Sequence, residues 1–328
     1  MRSACLALLL PLAARAAAPP DPVDSAVRRA LRRLEQGASS YVTHRQCFSC
    51  HHQSLTIAAL SAAKRRGFAV GQRLLDEQTS FTLDTFRPNL ARVRKGENVG
   101  GRNTTVAYAL FTLQAAGHPA DETTGALIDF LLARQEKDGS WPAVTQRNPS
   151  EGSRFTNAAL ALDALRRYGP GDGTKDARIT VAVQRGVDWL MRSQPLDNED
   201  RAFRLRALSV VSASRGLIEE ARHDLVGRQL PDGSWRQTAS RDGDAYATAT
   251  VLVALRHAGS APEEVPYRKG IAYLLRTQRP DGAWIVTTRS KPIQRWFDNG
   301  DPGGKSQFIS FLATGWATLA LLESRPLP

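Results

Sequence analysis

The chain has 328 residues, 42% of them hydrophobic, and carries 44 Lys and Arg against 32 Asp and Glu for a formal charge of +12. That length is enough to bury one large core or two average ones. The cations are mostly arginines scattered among the acids, with no long basic run and no nucleic-acid-binding motif, so the excess reads as a solvated surface and excludes nucleic acid as a partner.

In chain order, the first segment is "MRSACLALLLPLAARAAA", residues 1–18. One arginine, an apolar run from Ala4 to Leu12 and a small-residue end predict a cleaved secretory signal peptide, and hence a secreted or periplasmic protein. The run falls short of the roughly 20 residues that cross a bilayer, and no later stretch is both long and uncharged. The chain is therefore expected not to be transmembrane, with membrane-surface contact left open. Residues 19–328 are read as a single domain. Cys5 leaves with the leader, so of three cysteines only Cys47 and Cys50 remain and no disulfide framework can staple the fold.

Residues 22–36 have helical apolar spacing, and after them comes "CFSCHHQ", residues 47–53. Cys-x-x-Cys-His is the attachment pattern of a c-type haem, with two thiols for the vinyl groups and the next histidine under the iron. It assigns Cys47, Cys50 and His51 to the cofactor, within a haem-attachment segment spanning 44–52, and leaves His44 or nothing as the sixth ligand. The alternatives are zinc held by Cys47, Cys50 and two of His44, His51 and His52, or a short local disulfide or two buried thiols.

Further on, one pattern recurs: "FLLARQEKDGSW" (130–141), "DLVGRQLPDGSW" (224–235) and "YLLRTQRPDGAW" (273–284). A degenerate copy, "WLMRSQPLDNED" (189–200), keeps the leucine and Gln194 and loses the glycine and tryptophan. With their upstream helices the repeats span 124–141, 185–200, 218–235 and 267–284. Before each glutamine the apolar residues fall at helical spacing with charges opposite, which predicts amphipathic outer helices ended by an Asp-Gly turn. The segments at 104–117, 157–169, 244–259 and 308–322 are apolar or small nearly all round, which a helix tolerates only when enclosed by protein. With 50–67 as the first of these inner helices, the alternation predicts twelve helices, six inside six, and almost no sheet. The fold class is all-α, an (α/α)6 toroid.

The Gln…Asp-Gly-x-Trp repeat resembles that of the squalene-hopene cyclases and prenyltransferase β subunits, over about residues 100–325. The resemblance implies that Gln135 with Trp141, Gln229 with Trp235 and Gln278 with Trp284 are structural pins tying each outer helix to the next inner one. It also implies a search for the Asp-x-Asp-Asp acid of the triterpene cyclases. "RDGDAYATAT" offers Asp242 and Asp244 in the first two positions, with Ala245 replacing the last acid and Tyr246 following. Asp244 reads in the first place as a helix N-cap, its side chain accepting from free amides, and in the second as part of a paired-carboxylate site. The prenyltransferase zinc site has no counterpart, because no cysteine exists outside the first pair.

The long connections, notably 88–103 and 285–307, all enter inner helices, so the working face is the rim where those helices begin. Asn103, Thr104, Arg154, Asn157, Arg201, Arg204, Tyr246, Lys305 and Gln307 belong to it and suit a pocket for an amphipathic isoprenoid or lipid. The leading expectation is an exported toroid with a covalent haem that binds or oxidises a hydrophobic ligand and meets a redox partner protein. The alternatives are a non-redox terpenoid cyclase or isomerase using Asp244 as general acid, or a ligand-binding toroid without catalysis.

Overall fold

The computed structural model describes residues 21–169, 176–291 and 297–326. The predicted leader, Cys5 and Trp296 of the last long loop lie outside the described residues. Outer and inner helices alternate along the chain. The first pair is α1 (Pro22–His44) and α2 (His52–Arg65); the second is α3 (Gln72–Phe86) and, beyond the five-residue α4 (Leu90–Arg94), α5 (Arg102–Ala115). Then come α6 (Glu122–Ala133) with α7 (Arg154–Tyr168), α8 (Ala177–Arg192) with α9 (Asn198–Val210), α10 (Arg215–Val226) with α11 (Ala245–His257), and α12 (Val265–Thr277) with α13 (Gln307–Glu323). The only described strands are β1 (Trp235–Arg236) and β2 (Gly243–Asp244), an antiparallel pair two residues long.

Burial separates the two rings as the residue patterns require. Outer helix α8 buries a stripe of Ala182, Gly186, Trp189 and Leu190, whereas inner helix α2 is buried continuously from His52 to Ala63. Each fully buried leucine or aromatic of such a stripe contributes roughly 2 kcal/mol. The inner helices pack in the order α2, α5, α7, α9, α11, α13 and back to α2, which closes the annulus. Some of their buried hydroxyls are satisfied within the helix, as where Thr112 and Thr318 donate to the carbonyls of Tyr108 and Thr314 at 2.7 Å.

The repeat residues tie the outer ring to itself. The indole N–H of Trp141, Trp235 and Trp284 donates to the carbonyl of the repeat leucine ten residues back, Leu131, Leu225 and Leu274, at 2.7–2.9 Å. The amides of Gln135, Gln229 and Gln278 each donate to the carbonyl of their own turn glycine and to one on the following outer helix: Ala182 of α8, Pro266 of α12 and Ala26 of α1. The expected tie to the next inner helix is thus replaced, for the glutamine, by a tie to the next outer one. The last repeat joins α12 to α1 and so fastens the end of the toroid to its start. The turn glycine has to be glycine there. Gly282 has φ +90°, and a Cβ on it would stand 2.4 Å from the carbonyl oxygen of Arg29.

Two predicted boundaries move. Helix α1 runs to His44, well past residue 36, so the cysteine segment is a short bridge into α2 rather than a long loop. The 88–103 connection is partly helical through the turn at Arg87–Asn89 and α4.

Candidate functional site

Every inner helix begins at the same rim, so Cys50, next to α2, and Asp244, at the start of α11, share it. Three caps shape that rim locally. The side chains of Ser153, Asp197 and Asp244 each accept from an amide at the start of inner helices α7, α9 and α11, while Asp21, Asp121 and Asp176 do so at the starts of outer helices α1, α6 and α8 at the opposite rim.

Asp244 is engaged twice. Its Oδ1 accepts from the Ala247 amide and its Oδ2 from the Gln237 side chain, both at 2.9 Å, and burial pushes its pKa up to about 6. Gln237 in turn accepts from Arg289, which donates to Asp197 at 2.6 Å. Asp242 is exposed. Tyr246 is 1% exposed, and its hydroxyl turns away from Asp244 to Glu199.

Glu199 is the acid that sequence reasoning missed. It lies in the first turn of α9, 3% exposed, accepting from the Thr156 hydroxyl at 2.7 Å and from the Tyr246 hydroxyl at 3.0 and 3.2 Å. Burial dominates its titration and pushes the pKa up to about 8; the Thr156 and Tyr246 hydrogen bonds oppose the shift, and the charges of Asp197 and Asp200 add to it. At neutral pH this carboxyl keeps its proton. Asp200 is held by Ser153 at 2.6 Å and the Leu196 amide at 3.0 Å. The signal was in the degenerate repeat. Asp197-Asn198-Glu199-Asp200 has the Asp-x-Asp-Asp spacing with glutamate in the middle, which a search for aspartates alone passes over.

Across the ring from this acid, between the starts of α2 and α5, opens a pocket of about 410 Å³ lined by Phe48, Cys50, His51, Phe86, Val99, Thr105 and Glu151, a size typical of small-molecule sites. Glu151 is 6% exposed and paired with Arg147 at 3.0 Å; burial raises its pKa and Arg147 opposes the rise. Tyr108 stands between pocket and acid. Burial pushes its hydroxyl pKa well up, and the charges of Glu199, Cys50 and Glu151 add to the shift.

Several other rim residues are structural ties. Asn103 donates to the Pro142 carbonyl, Asn157 to that of Trp141 and Gln307 to that of Phe297, while Arg154 and Arg201 pair with Asp138 and Asp224. Thr104 is buried, Arg204 half-buried and Lys305 exposed.

The cysteine segment does not form the expected cofactor site. His51 precedes α2 with Nδ1 3.0 Å from Ser49 Oγ and 2.7 Å from His52 Nδ1, and its ring is walled by His52 at 4.5 Å, Phe308 at 6.1 Å and Tyr41 at 6.4 Å. Its Nδ1 is taken up by these neighbours, and the rest of the ring lines the rim pocket with Cys47 and Cys50. His52 lies against Tyr41 and Phe311 and meets Asn299 through Nε2, and His44 stacks on Phe297 at 4.7 Å. Burial holds His51 well below the ordinary histidine range and His52 at about 3. Among the described residues, no group of three or more His, Cys, Asp or Glu side chains could hold a metal ion, which removes the zinc alternative too. Cys47 is an exposed thiol 3.7 Å from the Tyr41 hydroxyl; Cys50 is buried, its pKa pushed up by that burial. The haem c assignment to Cys47, Cys50 and His51, with His44 as sixth ligand, is therefore corrected, and no support remains for a redox partner. The relatives point the same way, being terpene cyclases, which need no haem.

No family model matches the chain. It is 29% identical over 232 residues to a drimenyl diphosphate synthase of Streptomyces showdoensis, covering 67% of this chain and 41% of that protein. The chain spans less than half the length of the curated relatives it matches. Among solved structures it is similar to the type II terpene cyclase MstE from Scytonema in complex with geranylgeranyl dihydroxybenzoate, with a TM-score of 0.56, 15% identity, and coverage of 94% of this chain and 98% of that one. A glycosidase in complex with glucose matches equally in shape, TM-score 0.56, at 11% identity over 94% of this chain and 100% of that one. Relatives and neighbours make this a terpene cyclase-like α/α toroid. The glycosidase shows that the annulus alone does not choose the chemistry, which has to be argued from the site. No described helix is long and apolar enough to cross a membrane.

Proposed function

We propose that this chain is a terpenoid cyclase or isomerase of the protonation-initiated kind, acting on a linear isoprenoid, with Glu199 as the general acid. The observation that carries the reading is a carboxyl 3% exposed between two hydroxyl donors, Thr156 and Tyr246, where burial pushes its pKa up. The Glu199 O–H proton passes to a terminal alkene carbon and leaves a tertiary carbocation. A second double bond closes a C–C bond onto that cation, and loss of a proton from an adjacent carbon ends the sequence while the carboxylate is reprotonated. Thr156 and Tyr246 stabilise the carboxylate left behind, and the face of Tyr246 can stabilise positive charge nearby. Asp244 caps the start of α11 through the Ala247 amide and its pKa rises only to about 6, so it is better suited to holding that helix than to keeping a proton for delivery.

The test is incubation of the full chain with farnesol, farnesyl diphosphate, geranylgeraniol and squalene in deuterium oxide. A cyclised or isomerised product carrying one solvent deuterium on the carbon next to the terminal gem-dimethyl carbon is expected, and it disappears in Glu199→Gln. Binding without product from any of the four would favour the binding toroid instead. Export belongs to the same proposal on the strength of the leader pattern in residues 1–18; cell fractionation checks it.

A further inference from the structure

Two helical turns below Glu199 on the same helix, about 10 Å along it, lies Arg206, 5% exposed. Helix α9 sits opposite α2 in the inner ring, yet the Arg206 guanidinium lies 5.1 Å from the ring centre of Phe111 on α5, 5.6 Å from that of Trp316 on α13 and 5.9 Å from that of Phe203 on its own helix. Because α5 and α13 flank α2, these contacts reach across the annulus and place the cation on its axis.

Among the described residues this cation has no carboxylate partner, and its Nη1 has no hydrogen-bond acceptor. The same is true of two other buried donors at this depth: the Trp316 indole N–H, 1% exposed, and the Tyr108 hydroxyl, 0% exposed. The aromatic rings screen Arg206 only partly. A buried charge without a counter-ion and buried donors without acceptors are costly, and here the charge stands against the Trp316 ring and close enough to Tyr108 to act on its hydroxyl. An arginine and an indole can only donate, so what completes the cluster has to accept.

We propose that Arg206, Trp316 and Tyr108 form a binding site for an oxyanion, a carboxylate or phosphoryl group, carried at one end of the isoprenoid ligand. The inference rests on the isoprenoid reading above and adds a specificity determinant to it. The pocket at the rim supplies the way in. Thr105 in its lining stands one turn above Tyr108 on α5, so an apolar chain among Phe48, Phe86 and Val99 can direct its charged end down onto the cluster.

The experiment is isothermal titration of the full-length protein with farnesoic acid, with farnesol as the uncharged match and with acetate as the free anion. The acid should bind at least about tenfold tighter than the alcohol, as hydrogen bonds to a charged group imply, and acetate much more weakly than either. Arg206→Met should erase that preference, and Tyr108→Phe should reduce it severalfold. If Arg206→Met does not fold, Tyr108→Phe decides. Equal affinity for acid and alcohol, or an unchanged preference in the variants, overturns the proposal. Acetate binding as tightly as farnesoic acid makes the axis a small-anion site and overturns the isoprenoid part. Glu199→Gln should keep the preference, so failure of catalysis and failure of this site are told apart.

Discussion

The Tyr246 hydroxyl on α11 reaches both carboxylate oxygens of Glu199 on α9, at 3.2 and 3.0 Å, across two neighbouring inner helices. That contact brings an acid from the degenerate repeat and a tyrosine from the Asp242–Asp244 stretch into one buried site.

Replacing Glu199 by Gln keeps the volume and removes the proton. Turnover should fall by roughly 10²–10⁴-fold, the usual worth of a positioned general acid. Tyr246→Phe should cost less, because Thr156 still donates to the acid. Product analysis by mass spectrometry measures both, and circular dichroism confirms the fold.

The elevated Glu199 pKa ties stability to pH. The folded state holds the proton up to about 8, while the unfolded carboxyl loses it near its ordinary 4.5. The stabilising contribution is therefore complete below about pH 4.5 and is lost as pH rises through about 8, with a slope of at most about 1.4 kcal/mol per pH unit between. Urea titrations across that window should show the slope, and Glu199→Gln should flatten it. Activity should fall above pH 8 as the acid ionises.

Asp244→Ala removes a cap and leaves Gln237 without an acceptor. The expected loss is about 1 kcal/mol of unfolding free energy with turnover kept within severalfold. Loss of turnover on the scale of Glu199→Gln would move the acid back to Asp244.

Ring closure depends on the last repeat. Gln278→Ala strips the Ala26 carbonyl of its donor and should cost about 1–3 kcal/mol. Gly282→Ala forces a Cβ at positive φ against the Arg29 carbonyl and should cost more than about 1 kcal/mol. Hydrogen exchange should accelerate in α1 and α12 first.

The thiols should separate by accessibility. Iodoacetamide labels Cys47 in the native protein and Cys50 only after unfolding, as peptide mass spectrometry can read. A pyridine haemochrome assay on the purified protein should give no haem band.

The sequence by itself determined the annulus. Amphipathic segments alternate with segments apolar all round, and a repeated Gln…Asp-Gly-x-Trp closes each outer helix, because burial on one face and burial on every face need different residue patterns. It also marked the rim, through caps and loop lengths. Only the tertiary structure decided what the rim does. Cys-x-x-Cys-His is a local string, but whether His51 can serve an iron depends on Tyr41, His52 and Phe308 around its ring, two of them from other helices. Glu199 looked like one acid among 32, since the desolvation that keeps it protonated comes from α7, α9 and α11 packing together. Arg206 looked like a surface cation for the same reason. A side chain's charge is written in the sequence, while the dielectric around it and the partners it lacks are set by helices distant along the chain.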